Sequence, residues 1–288
     1  MILKNLNSKQ IEAVTTKNGP VLIIAGPGSG KTKVLTHRIA YLIREGIPAE
    51  NILAVTFTNK AAEEIKARIN KLISLSAKRD FKLPTIGTFH ALCSKILRYE
   101  IKKIGFRSNF IILDAQDSLV FIKKIMSELD ISDQQFNPET IQQNISQAKN
   151  ELLTPEDFFN QAQDFFPKIV SKIFSAYQER LKQNNALDFD DLIFLTVKIF
   201  QENPTILEKY QEKFRYILVD EYQDTNHAQY VLINLLAKKY RNLFVIGDEA
   251  QSIYSWRGAD FRNILNFEND YPEAKIILLE QNYRSTQN

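Results

Sequence analysis

The sequence predicts an α/β fold: a parallel sheet flanked by helices and interrupted by a mostly α-helical inserted subdomain. Three observations predict it. Apolar, strand-sized runs alternate with helical patterns in the first 89 or so residues, and the same alternation returns after about residue 214. Strands alternating with helices argue for a parallel sheet covered on both faces. Between these pieces, none of the nine glycines falls between Gly105 and Gly247, and the interval from 90 to 213 is rich in Gln, Lys, Glu, Leu, Ile and Phe.

The elements follow in order. Val21–Ala25 is a strand, succeeded by a helix from about Lys31 that stops at Gly46, a suitable left-handed C-cap. Asn51–Phe57 reads as a strand, Lys60–Leu75 as a helix and Leu83–Phe89 as a third strand. In the middle, Leu119–Leu129 and Ile169–Leu181 carry helical spacing. Tyr216–Val219, Leu243–Gly247 and Lys275–Leu279 complete the strands. The predicted domains are therefore a discontinuous α/β domain, 1–89 with 214–288, and a helical insertion, 90–213.

Composition narrows the function classes. The 288 residues are 44% hydrophobic and 25% charged, an ordinary globular balance that excludes general disorder. No apolar run approaches the roughly 18 residues of a membrane span, and the N-terminus carries no signal-peptide pattern. The single cysteine, Cys93, excludes an internal disulfide framework and a cysteine-based zinc cluster, so a cytoplasmic setting is expected, with no membrane partner. Net charge is +3, divided into −3 over residues 90–213 and +6 over the rest, which would draw a phosphate-rich partner to the flanking pieces.

The strongest local signal is Ala25-Gly26-Pro27-Gly28-Ser29-Gly30-Lys31-Thr32, lying between an apolar strand and a helix. Glycines let backbone N–H groups turn inward around phosphate oxygens, and the helix N-terminus adds partial positive charge. Lys31 is expected to reach the β- and γ-phosphates and the Thr32 hydroxyl to bind Mg²⁺. The usual pattern starts with glycine where Ala25 stands, but Gly26, Gly28 and Gly30 remain for the bend. A metal partner is supplied by Tyr216-Ile217-Leu218-Val219-Asp220-Glu221, an apolar strand ending in two carboxylates. Asp220 is placed for the Mg²⁺ shell, and Glu221 to orient or deprotonate an attacking water.

Further motifs carry a family resemblance. Leu6-Asn7-Ser8-Lys9-Gln10, the loop at 25–32, Thr56-Phe57-Thr58-Asn59-Lys60-Ala61-Ala62 and Gly87-Thr88-Phe89-His90 appear in helicase order. Val219-Asp220-Glu221-Tyr222-Gln223-Asp224-Thr225-Asn226, then Gly247 through Ala259, then Leu279-Glu280-Gln281-Asn282-Tyr283-Arg284-Ser285 follow. This resembles the first half of a UvrD/Rep/PcrA-type superfamily 1A DNA helicase, from residue 6 to residue 286. The resemblance implies a RecA-like P-loop NTPase domain that uses ATP and Mg²⁺. It also implies translocation on single-stranded DNA, 3′ to 5′, with duplex unwinding at single-strand/duplex junctions in repair or replication.

The resemblance also distributes roles. Gln10 would read the adenine edge; as the third residue after an Asn7 N-cap it equally suits a capping box. Arg38 and Tyr283 match positions that sandwich the base, although Arg38 also suits a surface helix. Gln251 would sense the γ-phosphate and Arg284 would act as an arginine finger. Phe57, Asn59, Lys60 and His90 match single-strand contacts. Tyr254 and Trp256, two apart and flanked by Arg257, would present one stacking face to bases, the alternative being a tryptophan that plugs a core. The helix after Asn59 is basic, with Lys60, Lys66, Arg68, Lys71, Lys78, Arg79 and Lys82 against Glu63, Glu64 and Asp80. Leu187-Asp188-Phe189-Asp190-Asp191-Leu192 also matches a family motif and is read as structural.

Two small departures stand out: Ala250 replaces a common acid, and Tyr222 a common phenylalanine. A larger one concerns length, because family members continue beyond the Tyr283-Arg284 motif into a second RecA-like domain. The expectation is that these 288 residues bind ATP and single-stranded DNA but hydrolyse feebly and do not unwind. Two other readings stay open: the helicase subunit of a recombination nuclease complex, and a non-catalytic ATP- and DNA-binding module.

Overall fold

A computed structural model describes residues 2–74, 82–248 and 262–281. The first piece runs α1 (Ser8–Thr15), β1 (Val21–Ala25), α2 (Lys31–Arg44), β2 (Ile52–Thr56), α3 (Asn59–Ser74), β3 (Thr85–Thr88) and α4 (Phe89–Glu100). Helix α2 ends where glycine allows it to: Gly46 sits at φ 88°, its N–H donates to Ile43 O (3.0 Å), and Ile47 N–H donates to Leu42 O (3.1 Å). That pairing satisfies the terminal carbonyls by a Schellman turn. At the starts of α3 and α4, threonine hydroxyls are the caps. Thr58 Oγ1 accepts from Ala61 N–H (3.1 Å), and Thr88 Oγ1 from Ala91 N–H (3.2 Å). Because Thr88 already caps α4, the strand predicted to reach Phe89 stops one residue short, and Phe89 and His90 are helical.

The chain continues through β4 (Ile111–Ile112), α5 (Ala115–Glu128), α6 (Pro138–Asn150), α7 (Pro155–Gln161), α8 (Phe165–Gln183), β5 (Ala186–Leu187) and α9 (Phe189–Glu202). It then returns through α10 (Pro204–Lys213), β6 (Tyr216–Val219), α11 (His227–Ala237), β7 (Leu243–Gly247), α12 (Arg262–Asp270) and β8 (Lys275–Leu279). Two compact units result: Met1–Ala91 with Pro204–Thr225 and Ile233–Asn288, and Leu92–Asn203 with Asn226–Leu232. The inserted segment expected over 90–213 thus ends ten residues early. Helix α10 is tied to the sheet unit: Asn51 Nδ2 donates to Lys213 O (3.0 Å), Gln211 Nε2 donates to Leu235 O (2.7 Å), and Lys239 pairs with Glu208 and Glu212.

The sheet order is β3-β2-β6-β7-β1-β8, and every pairing is parallel. Val21 aligns with Phe244 on one side and Lys275 on the other; Val55 aligns with Val219 and Val219 with Val245. β2 and β7 are buried at all five positions, as apolar strands under helices on both faces must be. Edge strand β8 leaves Ile276 and Leu278 exposed. The core packs Val34, Leu35, Ile39 and Leu42 of α2 and Ile65, Ile69 and Ile73 of α3 against Ile23, Ala54, Leu218, Phe244 and Ile246 of the sheet. Each such aliphatic side chain contributes roughly 1.5–3 kcal/mol of burial free energy.

The second unit is mostly helical, as expected, with β4 and β5 as a two-residue parallel pair. Its core repeats helical spacing, with Ile122, Ile125 and Met126 from α5 and Val170, Ile173, Phe174, Tyr177 and Leu181 from α8. A charge lies inside it. Lys149 is fully buried, with Nζ 2.6 Å from Asp188 Oδ2 and 2.8 Å from Asp191 Oδ1. Those two acids form the capping box of α9, and Tyr177 OH donates to Asp188 Oδ2 (3.1 Å). The Leu187–Leu192 motif is accordingly the start of a helix pinned to α6 and α8. One cation serves two acids, so burial and the Asp188 charge push the Asp191 carboxyl up to about 6.

Lys149→Met should destabilise this unit by about 3–5 kcal/mol at neutral pH, because two buried carboxylates lose their cation. An acid whose folded pKa is raised keeps a proton the unfolded chain has released, so stability falls as pH rises from about 4 through about 6. The variant's deficit in denaturant titrations should therefore be smaller at pH 5 than at pH 7.5, and adding Asp188→Asn and Asp191→Asn should recover part of it. A deficit under 1 kcal/mol that is flat with pH would contradict the assignment.

Candidate functional site

Parallel strands end together. The segments after β1, β2, β3, β6 and β7 therefore emerge along one edge of the sheet, where open α/β sheets place their ligands. After β1, the 26–30 turn leads into α2, with Gly28 at φ 79° and Gly30 at φ 92°. Ser29 Oγ donates to Gly26 O (2.7 Å), and Gln10 Nε2 donates to Ser29 O (3.0 Å). The positive φ at Gly30 favours glycine, and a Cβ there would lie 2.9 Å from Gln10 Nε2, so the end of the Gln10 side chain would have to shift. Ala25, where the usual pattern has glycine, is the buried last residue of β1. Pro27 is exposed at the tip of the turn.

Lys31 and the carboxylates of neighbouring strand ends come together. Its Nζ lies 3.3 Å from Glu221 Oε2 and 3.2 Å from Asp248 Oδ2. Asp220 is anchored by its N–H, which donates to Val55 O (3.0 Å), and its carboxyl is almost entirely buried. Burial, then the adjacent Glu221 charge, push that carboxyl up to about 7, against the pull of Lys31. Asp220 Oδ1 has no hydrogen-bond partner among the described residues. A buried carboxylate oxygen without a donor among the described residues fits a hard divalent cation such as Mg²⁺, and Thr32 is half-buried in the first turn of α2.

Glu221 itself adopts a left-handed backbone, φ 51° and ψ 48°, uncommon for a residue with a side chain. The turn that follows, Tyr222–Asp224, is buried, and the Tyr222 ring packs edge-on against Phe267 at 5.9 Å. Gln223 Nε2 donates to Glu221 Oε2 (3.0 Å), and Gln223 Oε1 accepts from Asp248 N–H (3.0 Å). The sequence reading gave neither Asp248 nor Gln223 a role. A second apolar strand ending in an acid, Gly247-Asp248, was the available signal.

Gln10 takes up its capping reading: Asn7 Oδ1 accepts Gln10 N–H (2.8 Å), and Gln10 Oε1 accepts Asn7 N–H (3.2 Å). With Nε2 donating to Ser29 and Oε1 accepting from Asn7, one amide hydrogen and one lone pair have no partner among the described residues. Arg38 departs from expectation. It is 2% exposed, its guanidinium donates to the carbonyls of Ala13, Thr16 and Lys17, and it lies 4.3 Å from the Phe244 ring centre. Arg38 is seven residues beyond Lys31, roughly 10 Å along the helix. Phe244 pairs with Val21, the opposite end of β1 from the glycine turn. Arg38 therefore holds α1 to α2 rather than facing a base. Besides Lys31, α2 carries Lys33 on the turn's side, with its Cβ 3.8 Å from the position of a Cβ on Gly30.

At the ends of β2 and β3, Phe57 and Phe89 meet at 5.6 Å between ring centres, Asn59 and Lys60 are exposed, and His90 is half-buried. The basic face of α3 is partly self-neutralised, because Lys66 pairs with Glu63 and Arg68 with Glu64. Lys78, Arg79, Gln251, Tyr254, Trp256, Arg257, Tyr283 and Arg284 lie outside the described residues. Among the described residues, no helix is long and apolar enough to cross a membrane.

The placement of Arg38 yields a direct expectation. Arg38→Met should lower stability by about 2–4 kcal/mol, through lost charged hydrogen bonds and a lost ring contact, and leave nucleotide affinity within about 3-fold. Unchanged thermal stability with a large loss of nucleotide affinity would return Arg38 to the base.

The sequence is 54% identical to the ATP-dependent DNA helicase PcrA of Staphylococcus epidermidis over all 288 residues, which cover 39% of that relative. Identity to PcrA of Bacillus subtilis is 53% over 286 residues, 99% of this chain and 38% of the relative. For PcrA of Staphylococcus aureus it is 52% over 286 residues, 99% of this chain and 39% of the relative. The chain thus spans about two fifths of the length of the curated relatives it matches. Residues 6–272 match the family described as the UvrD/REP helicase N-terminal domain, and the chain belongs to that family.

Proposed function

We propose that this chain supplies the ATP-binding half of a DNA helicase that couples hydrolysis to 3′–5′ movement on single-stranded DNA and to unwinding at junctions. The observation that carries the reading is the meeting of Lys31 with Glu221 and Asp248 at the mouth of a glycine turn, beside buried Asp220. In this reading the N–H groups of the 26–30 turn and the α2 N-terminus cradle phosphate oxygens, and Lys31 exchanges its carboxylates for the β- and γ-phosphates. Thr32 and Asp220 would hold Mg²⁺, which neutralises charge on the transferring phosphoryl group. Glu221 orients the attacking water and accepts its proton. From sequence alone, Gln251 senses the γ-phosphate, Arg284 places a cation on the developing charge, and Tyr283 stacks on the base.

The DNA track is assigned to the neighbouring strand ends. Phe57, Asn59 and Lys60 at the start of α3 and His90 at the start of α4 share the sheet edge that carries the phosphate turn. Tyr254 and Trp256, with Arg257, are the proposed stacking platform. A second RecA-like domain of the longer protein is the partner that would close on the nucleotide, and closure would move the strand.

Three variants of the full-length protein separate these roles. Lys31→Ala should weaken binding of a fluorescent ATP analogue at least about 10-fold. Glu221→Gln should bind it within about 3-fold of wild type yet lose at least about 100-fold in DNA-stimulated ATPase. Trp256→Ala should weaken oligo-dT binding roughly 5- to 100-fold with nucleotide affinity retained. Full turnover in Lys31→Ala or Glu221→Gln, or parallel loss of both ligands in Trp256→Ala, would overturn the assignment concerned.

A further inference from the structure

Two acids at the sheet edge need aiming, and one neutral side chain touches both of their strand ends. Gln223 is 1% exposed and uses both ends of its amide. The Nε2 group donates to Glu221 Oε2 at 3.0 Å and to Asp224 Oδ2 at 3.4 Å; Oε1 accepts the Asp248 N–H at 3.0 Å. Glu221 Oε2 is also the oxygen 3.3 Å from Lys31 Nζ. Two donors, one cationic and one an amide N–H, thus converge on one oxygen of a carboxylate that is 37% exposed. The backbone assists, because the left-handed Glu221 is closed into its turn by Asp224 N–H donating to Glu221 O at 3.0 Å.

We propose that Gln223 is a positioning residue for hydrolysis: its amide fixes Glu221 Oε2, so that Oε1 is the oxygen that meets the attacking water, and registers the β7 end against the β6 end. The inference rests on the reading of Glu221 as the group that orients that water. A glutamine suits the task where an acid or an aliphatic residue does not. Its donor satisfies a carboxylate without adding charge, its acceptor satisfies a buried backbone N–H, and both are needed at once. The Asp248 link also ties the aim of Glu221 to the end of β7. Displacement of a reacting group by about 1 Å costs up to roughly 100-fold in rate, so a strut of this kind acts on turnover rather than on ground-state binding.

The test is a double-mutant cycle in the full-length protein, read by single-turnover ATP hydrolysis and by equilibrium binding of a fluorescent Mg·ATP analogue. Gln223→Met should lower the hydrolysis rate roughly 10- to 100-fold while nucleotide affinity stays within about 3-fold. In a Glu221→Gln background the same substitution should cost less than about 2-fold, because the residue it acts through is already gone. Where Gln223→Met does not fold, Gln223→Glu carries the same test. It keeps the acceptor for Asp248 N–H and replaces the donor with an oxygen that repels Glu221. Equal losses in both backgrounds, or a fall in affinity matching the fall in rate, would make Gln223 merely structural and overturn the proposal. Undiminished hydrolysis in Glu221→Gln alone would overturn the Glu221 reading, and this inference with it. Loss in Glu221→Gln with none in the Gln223 variants would overturn only this inference.

Discussion

Parallel alignment of the six strands is the constraint on which the site depends. A parallel sheet delivers every strand's carboxyl end to the same edge, and the order β3-β2-β6-β7-β1-β8 decides which ends are neighbours. Because β7 and β6 lie successively beside β1, the lysine that begins α2 meets Asp248 and Glu221, although more than 180 residues separate it from either. No local preference could achieve this. The sheet's own requirement, burial of both faces by crossover helices, also makes β2 and β7 apolar throughout.

Features at that edge run against stability. Asp220 is buried with an oxygen lacking a donor among the described residues, Glu221 holds a left-handed backbone, and Gly30 takes a positive φ against the Gln10 side chain. Strain and unsatisfied groups of this sort persist where surrounding packing over-determines them. Here the packing comes from Tyr222 on Phe267, from the Gln223 bridge and from the Gln10 strut. The Lys149–Asp188–Asp191 cluster is a contrasting use of buried charge: its acids cap α9 while their shared cation locks that cap to α6, so the charges specify how helices meet.

Much of this was legible in the sequence. Apolar runs gave the strands, Gly46 marked the end of α2, and Gly-Lys-Thr after a strand marked the glycine turn that opens it. The illegible parts depend on strand order or on contacts distant in sequence. Gln223 and Asp248 gain meaning only when β6 and β7 are known to be adjacent. The Asn7–Gln10 capping box was readable, but its reach to Ser29 was not. Arg38 was misread against an available signal: it stands four residues after Val34, three after Leu35 and four before Leu42, on the apolar face of α2, and helical geometry buries whatever occupies that row. Helix α10 was assigned to the insertion because its composition resembles the insertion's, whereas its attachments to Asn51, Leu235 and Lys239 are all non-local.

The central claim is that the glycine turn, Lys31 and the β6 carboxylates form one site for a metal-bound triphosphate. The most direct measurement is a crystal structure of this chain with Mn²⁺ and a non-hydrolysable ATP analogue, using the metal's anomalous scattering. The account predicts an anomalous peak coordinated by Thr32 Oγ1 at about 2.1 Å and next to Asp220, with Lys31 Nζ moved from Glu221 and Asp248 onto the phosphates. Triphosphate bound away from the 26–32 turn, or a metal remote from Asp220 with Lys31 still paired to its carboxylates, would contradict it.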